Sequence, residues 1–193
     1  NKEVTSIEDA ISGASDIIAQ RYADDFRTKE VIRNIVLNYG ILETKKTKTF
    51  NESGVYVSVA NVSEKVKYIK SHRFLAISRA VNEKELTVKI EVDENYILEN
   101  IKKYKIPSSA ESSKELVFQA YKDGLKRLLL PSLKREALSE LKEKASSDAI
   151  ILFGKNLKEL LLTPPLVNQV ILGMDPGYVS GCKLAVIDIN GDY

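Results

Sequence analysis

The sequence predicts a mainly α-helical fold with a small β insertion (α+β), followed by the start of a second, strand-containing element. Three observations carry this. Apolar residues recur every three to four positions through 6–39 and 114–161. Apolar–polar alternation, the mark of a half-buried strand, is confined to short segments between 41 and 92. After Thr163-Pro164-Pro165, which no helix continues through, apolar runs punctuated by glycines begin.

Each element follows in order. Ser6 is placed to cap a helix, with Asp9 at capping-box spacing, and Ile7, Ala10, Ile11, Ala14, Ile17 and Ile18 give the periodicity of a helix over 6–22. A second helix is predicted over 27–39, with Val31, Ile32, Ile35 and Val36 on one stripe and Gly40 placed to terminate it. The Thr- and Lys-rich residues 41–54 read as a loop with an edge strand. Val55, Val57 and Val59 alternate and suggest a strand. Ser71 is a possible cap for a helix carrying Phe74, Leu75 and Ile77. Leu86, Val88, Ile90 and Val92 mark a half-buried strand over 84–92, and Tyr96, Ile97, Ile101 and Tyr104 a helix over 94–104.

Residues 106–113 are a loop or linker by their Pro and Ser content. The longest helical stretch follows. Its stripe is Leu116, Val117, Ala120, Tyr121, Leu125, Leu128 and Leu129, and Pro131 is expected to break or kink it. Leu133, Ala137, Leu138 and Leu141, then Ile150, Phe153, Leu157, Leu160 and Leu161, continue the pattern. The expected organisation is a helical body over 1–168 and a new element over 169–193.

Composition bounds the function. The chain has 193 residues, 44% hydrophobic and 29% charged, as a globular protein does. A chain of this size buries roughly 70% of its unfolded surface. A net charge of +2 does not create the strong basic field of a dedicated nucleic-acid-binding domain, though it allows a local patch. One cysteine, Cys182, excludes an internal disulfide framework and suits a reducing compartment. No apolar run approaches the ~18 residues of a membrane span. The first residues, "NKEVTSIEDA", show neither a signal-peptide pattern nor an initiator Met. The expected setting is intracellular, cytoplasmic or nuclear, and the chain reads as a piece of something longer.

Few residues offer chemistry. His72 has no second His or Cys near it, which argues for a helix-terminus or interdomain hydrogen bond over a metal site. Cys182 has no visible base and reads as a small buried residue. Lys45, Lys46 and Lys48 are candidate phosphate contacts, or else the charge protection of an edge. Asp175 stands in "GMDPGYVSG" between two apolar runs, with Pro176-Gly177 suited to a tight turn. Three roles fit it: a strand-borne ligand to a divalent ion in phosphodiester cleavage, part of a hairpin whose glycine amides cradle a nucleotide phosphate, or an Asx-turn. Asp188 to Asp192 read as a turn with Asn190-Gly191 at its corner.

Two stretches bear a resemblance. Asn156-Leu157 and Leu160 to Leu162, then Leu172-Gly173, Asp175 to Gly177, Gly181 and Lys183, resemble the transcription accessory protein Tex family, in which an N-L-x-x-L-L-L helix end leads to L-G-x-D-P-G-x-x-x-G-x-K. Upstream, Ser71, His72, Arg73, Leu75, Ala76, Ile77 and Arg79 match the family's S-H-R-x-L-A-I-x-R-G-E segment, with Ala80 where the family has glycine. "DPGYVSGCKLA" looks closest to eukaryotic members that carry an S1 RNA-binding domain.

The resemblance implies that β-strand residues from 169 open a ribonuclease-H-like (YqgF-type) domain. It further implies a nucleic-acid-binding transcription or RNA accessory factor, whose RNA or DNA contacts lie in modules outside this chain and whose partners include the transcription machinery. On that view the chain is a scaffold, not an enzyme, and takes no cofactor. The alternative is a metal-dependent nuclease with Asp175 as first ligand to Mg²⁺. Such a site needs several converging carboxylates, and after Asp175 only Asp188 and Asp192 remain. Nucleic-acid binding by this chain alone is expected to be weak and steeply dependent on salt.

Overall fold

The computed structural model describes residues 6–104, 113–177, 179 and 181–193. The fold is mainly α with a small β part. It divides into two compact units, Asn1–Ile150 and Ile151–Tyr193.

In the first unit, α1 (Ile7–Asp24) starts where Ser6 Oγ accepts from the Asp9 backbone N–H at 3.1 Å. Asp25 then serves two helices. Its N–H bonds the Arg21 carbonyl to close α1, and its carboxylate accepts from the Thr28 N–H at 2.9 Å to open α2 (Phe26–Tyr39). Gly40 ends α2, but not through a left-handed cap: its φ is −60°. A Cβ there would lie 2.3 Å from the Val36 carbonyl oxygen and 2.9 Å from Ile90 Cγ2. The glycine is needed for close approach rather than for its conformational freedom.

The expected loop at 41–54 begins with a regular strand, β1 (Ile41–Lys46), and it is not an edge. It is the centre of a three-stranded antiparallel sheet, β2 (Ser63–Lys65)–β1–β3 (Leu86–Glu91). Leu42 stands opposite Ile90 and Thr44 opposite Val88, so the buried face of β1 is Leu42 and Thr44. The expected strand at Val55–Val59 is absent: residues 57–59 form a 3-10 turn. Its alternation is misleading because the side chains do not share one buried face: Val55 is 85% exposed, while Tyr56, Val59 and Ala60 are buried. Thr44 Oγ1 secures this segment, donating to the Val59 carbonyl at 2.7 Å and accepting from the Val62 N–H at 2.9 Å.

α3 (Ser71–Asn82) begins one residue earlier than a Ser71 cap requires; Lys70 is the cap position and supplies no side-chain bond. Ser71 Oγ instead donates to Asp148 Oδ2 at 2.6 Å. β3 and α4 (Glu94–Tyr104) fall where the periodicity places them, and Asp93 Oδ1 accepts from the Tyr96 N–H to open α4. The linker expected at 106–113 lies almost wholly outside the described residues.

Pro131 neither breaks nor ends the long helix. α5 (Lys114–Asp123) runs into a π-helical segment, Gly124–Leu129, and then into α6 (Leu130–Leu161). The wide turn just before the proline gives its ring room against the carbonyl four residues back, and no α-type N–H is lost where the ladder is already shifted. Gly124 lets this segment press on α1, and Leu125 and Leu129 are buried there. One core joins Leu42, Val36, Ile77, Leu86, Ile90, Leu125 and Leu129.

In the second unit, an antiparallel hairpin pairs β4 (Ile171–Gly177) with β5 (Gly181–Ile187). Its apolar side chains are largely exposed, as are Ile151, Leu152, Phe153, Leu160 and Leu161 of α6.

Candidate functional site

Asp175 does not sit at a turn. It is inside β4, directly opposite Lys183, with Pro176 opposite Cys182 and Gly177 opposite Gly181. The Pro176-Gly177 pair is therefore extended strand, and the left-handed glycine is Gly181, at φ 79°. Among the described residues the outward side of β4 has no ladder partner, which is where a strand tolerates a proline. The Asp175 carboxylate accepts no hydrogen bond from any described residue, so the Asx-turn role passes elsewhere. It belongs to Asp188, whose Oδ1 accepts from the Asn190 N–H at 2.8 Å and the Asp192 N–H at 2.9 Å. Gly191, at φ 89°, completes that turn as expected.

Those two backbone N–H groups hold the Asp188 carboxyl below its usual 3.8, with the Asp192 bond the larger cause. A depressed folded-state pKa stabilises the turn above the unfolded value and is lost as pH falls through the folded one. The protection of the Asn190 and Asp192 amides, relative to their intrinsic exchange at each pH, should be lost as pH falls through the folded-state value below 3.8, and Asp188→Ala should lack that protection already at pH 7. Protection unchanged in that variant would contradict the turn.

The three candidate lysines are not brought together. Lys45 and Lys46 are adjacent on β1 and so alternate between the faces of the sheet. Lys46 Nζ donates to both Glu52 carboxylate oxygens, at 2.7 and 2.8 Å, and lies 4.8 Å from the Phe50 ring centroid. Lys48 is exposed on the turn that follows. His72 is exposed in the first turn of α3 and makes no hydrogen bond with a described residue, so the structural bond expected of it is not formed there. Cys182 is exposed rather than buried, since a two-stranded sheet has no layer of its own to cover it. No described helix is long and apolar enough to cross a membrane.

The Tex central region-like family model matches residues 1–153. The chain belongs to the Tex family. Its likeness to curated relatives runs past that match and through the hairpin. It is 36% identical over 98% of its length to the uncharacterized protein YdcI of Bacillus subtilis, of which the match covers 27%. It is 32% identical over 96% of its length to the human S1 RNA-binding domain-containing protein 1, covering 20% of that protein. It is 30% identical over 99% of its length to the transcriptional accessory protein Tex of Neisseria gonorrhoeae, covering 26%. The chain thus spans about a quarter or less of the Tex relatives it matches.

Periodicity gave no sign of the polar ties of this Tex central region, because each joins residues far apart in sequence. Arg33 pairs with Glu136, Ser71 with Asp148, and Thr47 Oγ1 with the Lys84 carbonyl at 2.6 Å. Tyr22 stacks on Tyr121 with centroids 4.6 Å apart, and burial pushes its phenol well above the usual tyrosine range, with Tyr121 and Asp25 adding to the effect.

Proposed function

We propose that this chain is the central part of a nucleic-acid-binding transcription or RNA accessory factor. In this reading it is a scaffold: a helical body that positions a catalytically silent, ribonuclease-H-like domain opening at β4, together with RNA-binding modules outside these 193 residues. Relatives named for a transcriptional accessory role and for an S1 RNA-binding domain support the class. Exposed Phe153, Leu160 and Leu161 of α6, and Leu172 and Leu184 of the hairpin, are the apolar surface a scaffold needs for neighbouring domains.

The observation that carries the silent reading is the register at Asp175. Directly opposed residues have Cβ atoms about 5 Å apart, so the cation facing Asp175 is Lys183. Asp188, the next carboxylate, is tied into its own turn beyond the far end of β5. Among the described residues no group of three or more His, Cys, Asp or Glu is placed to hold a metal ion. Both observations support the silent reading over a Mg²⁺-dependent one.

The test is Mg²⁺- and Mn²⁺-dependent cleavage of labelled RNA and DNA by the longer protein containing this chain, beside its Asp175→Ala variant. No cleavage by either, with binding retained in both, is the expected result. Cleavage that disappears in Asp175→Ala would make Asp175 a metal ligand and overturn the silent reading.

A further inference from the structure

We infer that residues 65–73 form a contact site for single-stranded nucleic acid on the helical body itself, an inference that rests on the accessory-factor reading. The segment reads Lys65-Val66-Lys67-Tyr68-Ile69-Lys70-Ser71-His72-Arg73. Its apolar members are its anchors: Val66 is buried, Ile69 is half-buried, and Phe74 just beyond is buried. Every cation is left outside. Lys65, Lys67, Lys70 and Arg73 are exposed, as is the neighbouring His72. Glu64 pairs with Arg73 at 2.8 Å, and the other acids beside the segment are Asp148, which Ser71 holds at 2.6 Å, and Glu140 in the neighbouring cleft. Lys65, Lys67 and Lys70 form no ion pair with a described residue. This is the local concentration of unneutralised charge that a net charge of +2 conceals.

Two further features select an unpaired strand over a duplex. Tyr68 presents its ring within the patch at 60% exposure, a platform on which a base can stack. Beside it opens a shallow cleft of about 250 Å³, lined in part by Asn38, Lys67, Ser71, Glu140 and Lys144. Lys67 belongs to both patch and cleft, and Lys144 brings a further cation from α6. Asn38 donates its amide N–H to the Asn34 carbonyl at 2.9 Å, which leaves its side-chain oxygen as an acceptor. With the Glu140 carboxylate, it can meet the donor edge of a splayed base. A duplex offers this site phosphates alone. The amino-terminal end of α3, whose first turn holds no acid, adds its dipole beside Lys70.

Fluorescence anisotropy of a labelled single-stranded RNA of about 12 nucleotides tests the site, with salt varied between about 50 and 200 mM. The double variant Lys67→Glu/Lys70→Glu should bind at least about tenfold more weakly. Its slope of log affinity against log salt should be shallower by about 1.4, roughly 0.7 for each lost phosphate contact. Tyr68→Ala should bind about tenfold more weakly with the slope unchanged, because stacking releases no counterions. Lys155→Glu/Lys158→Glu, the same charge change at exposed lysines outside the segment, should stay within about twofold of the unaltered chain.

Equal losses in both double variants would reduce the effect to net charge and overturn the site. So would equal binding to phosphatidylserine vesicles, or unchanged affinity in Tyr68→Ala. No binding by the unaltered chain at about 50 mM salt would also overturn it. That result would leave the accessory-factor reading intact, since that reading places RNA recognition in modules outside the chain. Asp175-dependent cleavage, in turn, would sink the silent reading without moving any of these affinities.

Discussion

Gly124→Ala should destabilise the folded chain by about 3 kcal/mol, even though alanine is the better helix former. A Cβ at 124 would fall 2.6 Å from the Ala19 carbonyl oxygen and 3.1 Å from the Ala19 Cα. These are backbone atoms of α1, which no rotamer change can move aside. Either α1 retreats and opens the contact around Leu125, or the π-helical segment deforms. Gly13→Ala is the matched control. Gly13 is also helical, but nothing lies within 4 Å of its added Cβ. That change should stabilise by about 0.5–1 kcal/mol through backbone entropy alone. Urea unfolding of both variants decides the matter, read at constant slope. Two variants shifting the same way would mean that α1 and residues 124–129 are not in contact.

Thr44→Val should cost about 2–3 kcal/mol, although it exchanges a hydroxyl for a methyl of similar size. Thr44 is 4% exposed on the central strand, and its hydroxyl both donates to Val59 and accepts from Val62. Valine strands a carbonyl and an N–H together, and each unsatisfied buried group costs about 1–3 kcal/mol. The loss is softened because the Thr44 N–H still bonds the Val62 carbonyl at 3.0 Å. Thr44→Ser keeps both side-chain bonds and should lose only the methyl burial, about 1 kcal/mol. Equal costs for Val and Ser would show that the hydroxyl does not hold the 57–62 segment.

What was legible in the sequence was what local chemistry decides. The Ser6 cap, the stripes of α2 and α4, the alternation of β3 and the turn at Asn190-Gly191 depend on neighbours within a few residues. What was not legible depends on partners far along the chain. β1 carries Thr and Lys, as an edge or loop does, yet it becomes the centre because β2 and β3 arrive on either side. Val55 to Val59 have strand residues but no strand to pair with, so a 3-10 turn forms. Gly40 looks like a left-handed cap and is a spacer against Ile90. At the candidate site, the Asp-Pro-Gly triplet reads as a corner. Only the register against Lys183, Cys182 and Gly181 reveals that it is strand.

The π-helical segment has an angular consequence. From Tyr121 the packed row runs Leu125, Leu129, Leu133, Ala137, Leu141 and Ala145, always four residues apart. An α-helix turns about 100° per residue, so a row spaced by four walks about 40° around the axis at every step. Left uncorrected, Ala145 would face well away from the side where Tyr121 began. One wide turn, with its extra residue, takes back about 100° of that drift. Residues 124–129 are therefore a partial phase correction: of the roughly 240° that six such steps accumulate, they remove about 100°. One residue more or fewer there would turn the row of Leu133, Ala137 and Leu141 by about 100° against the core of the first unit.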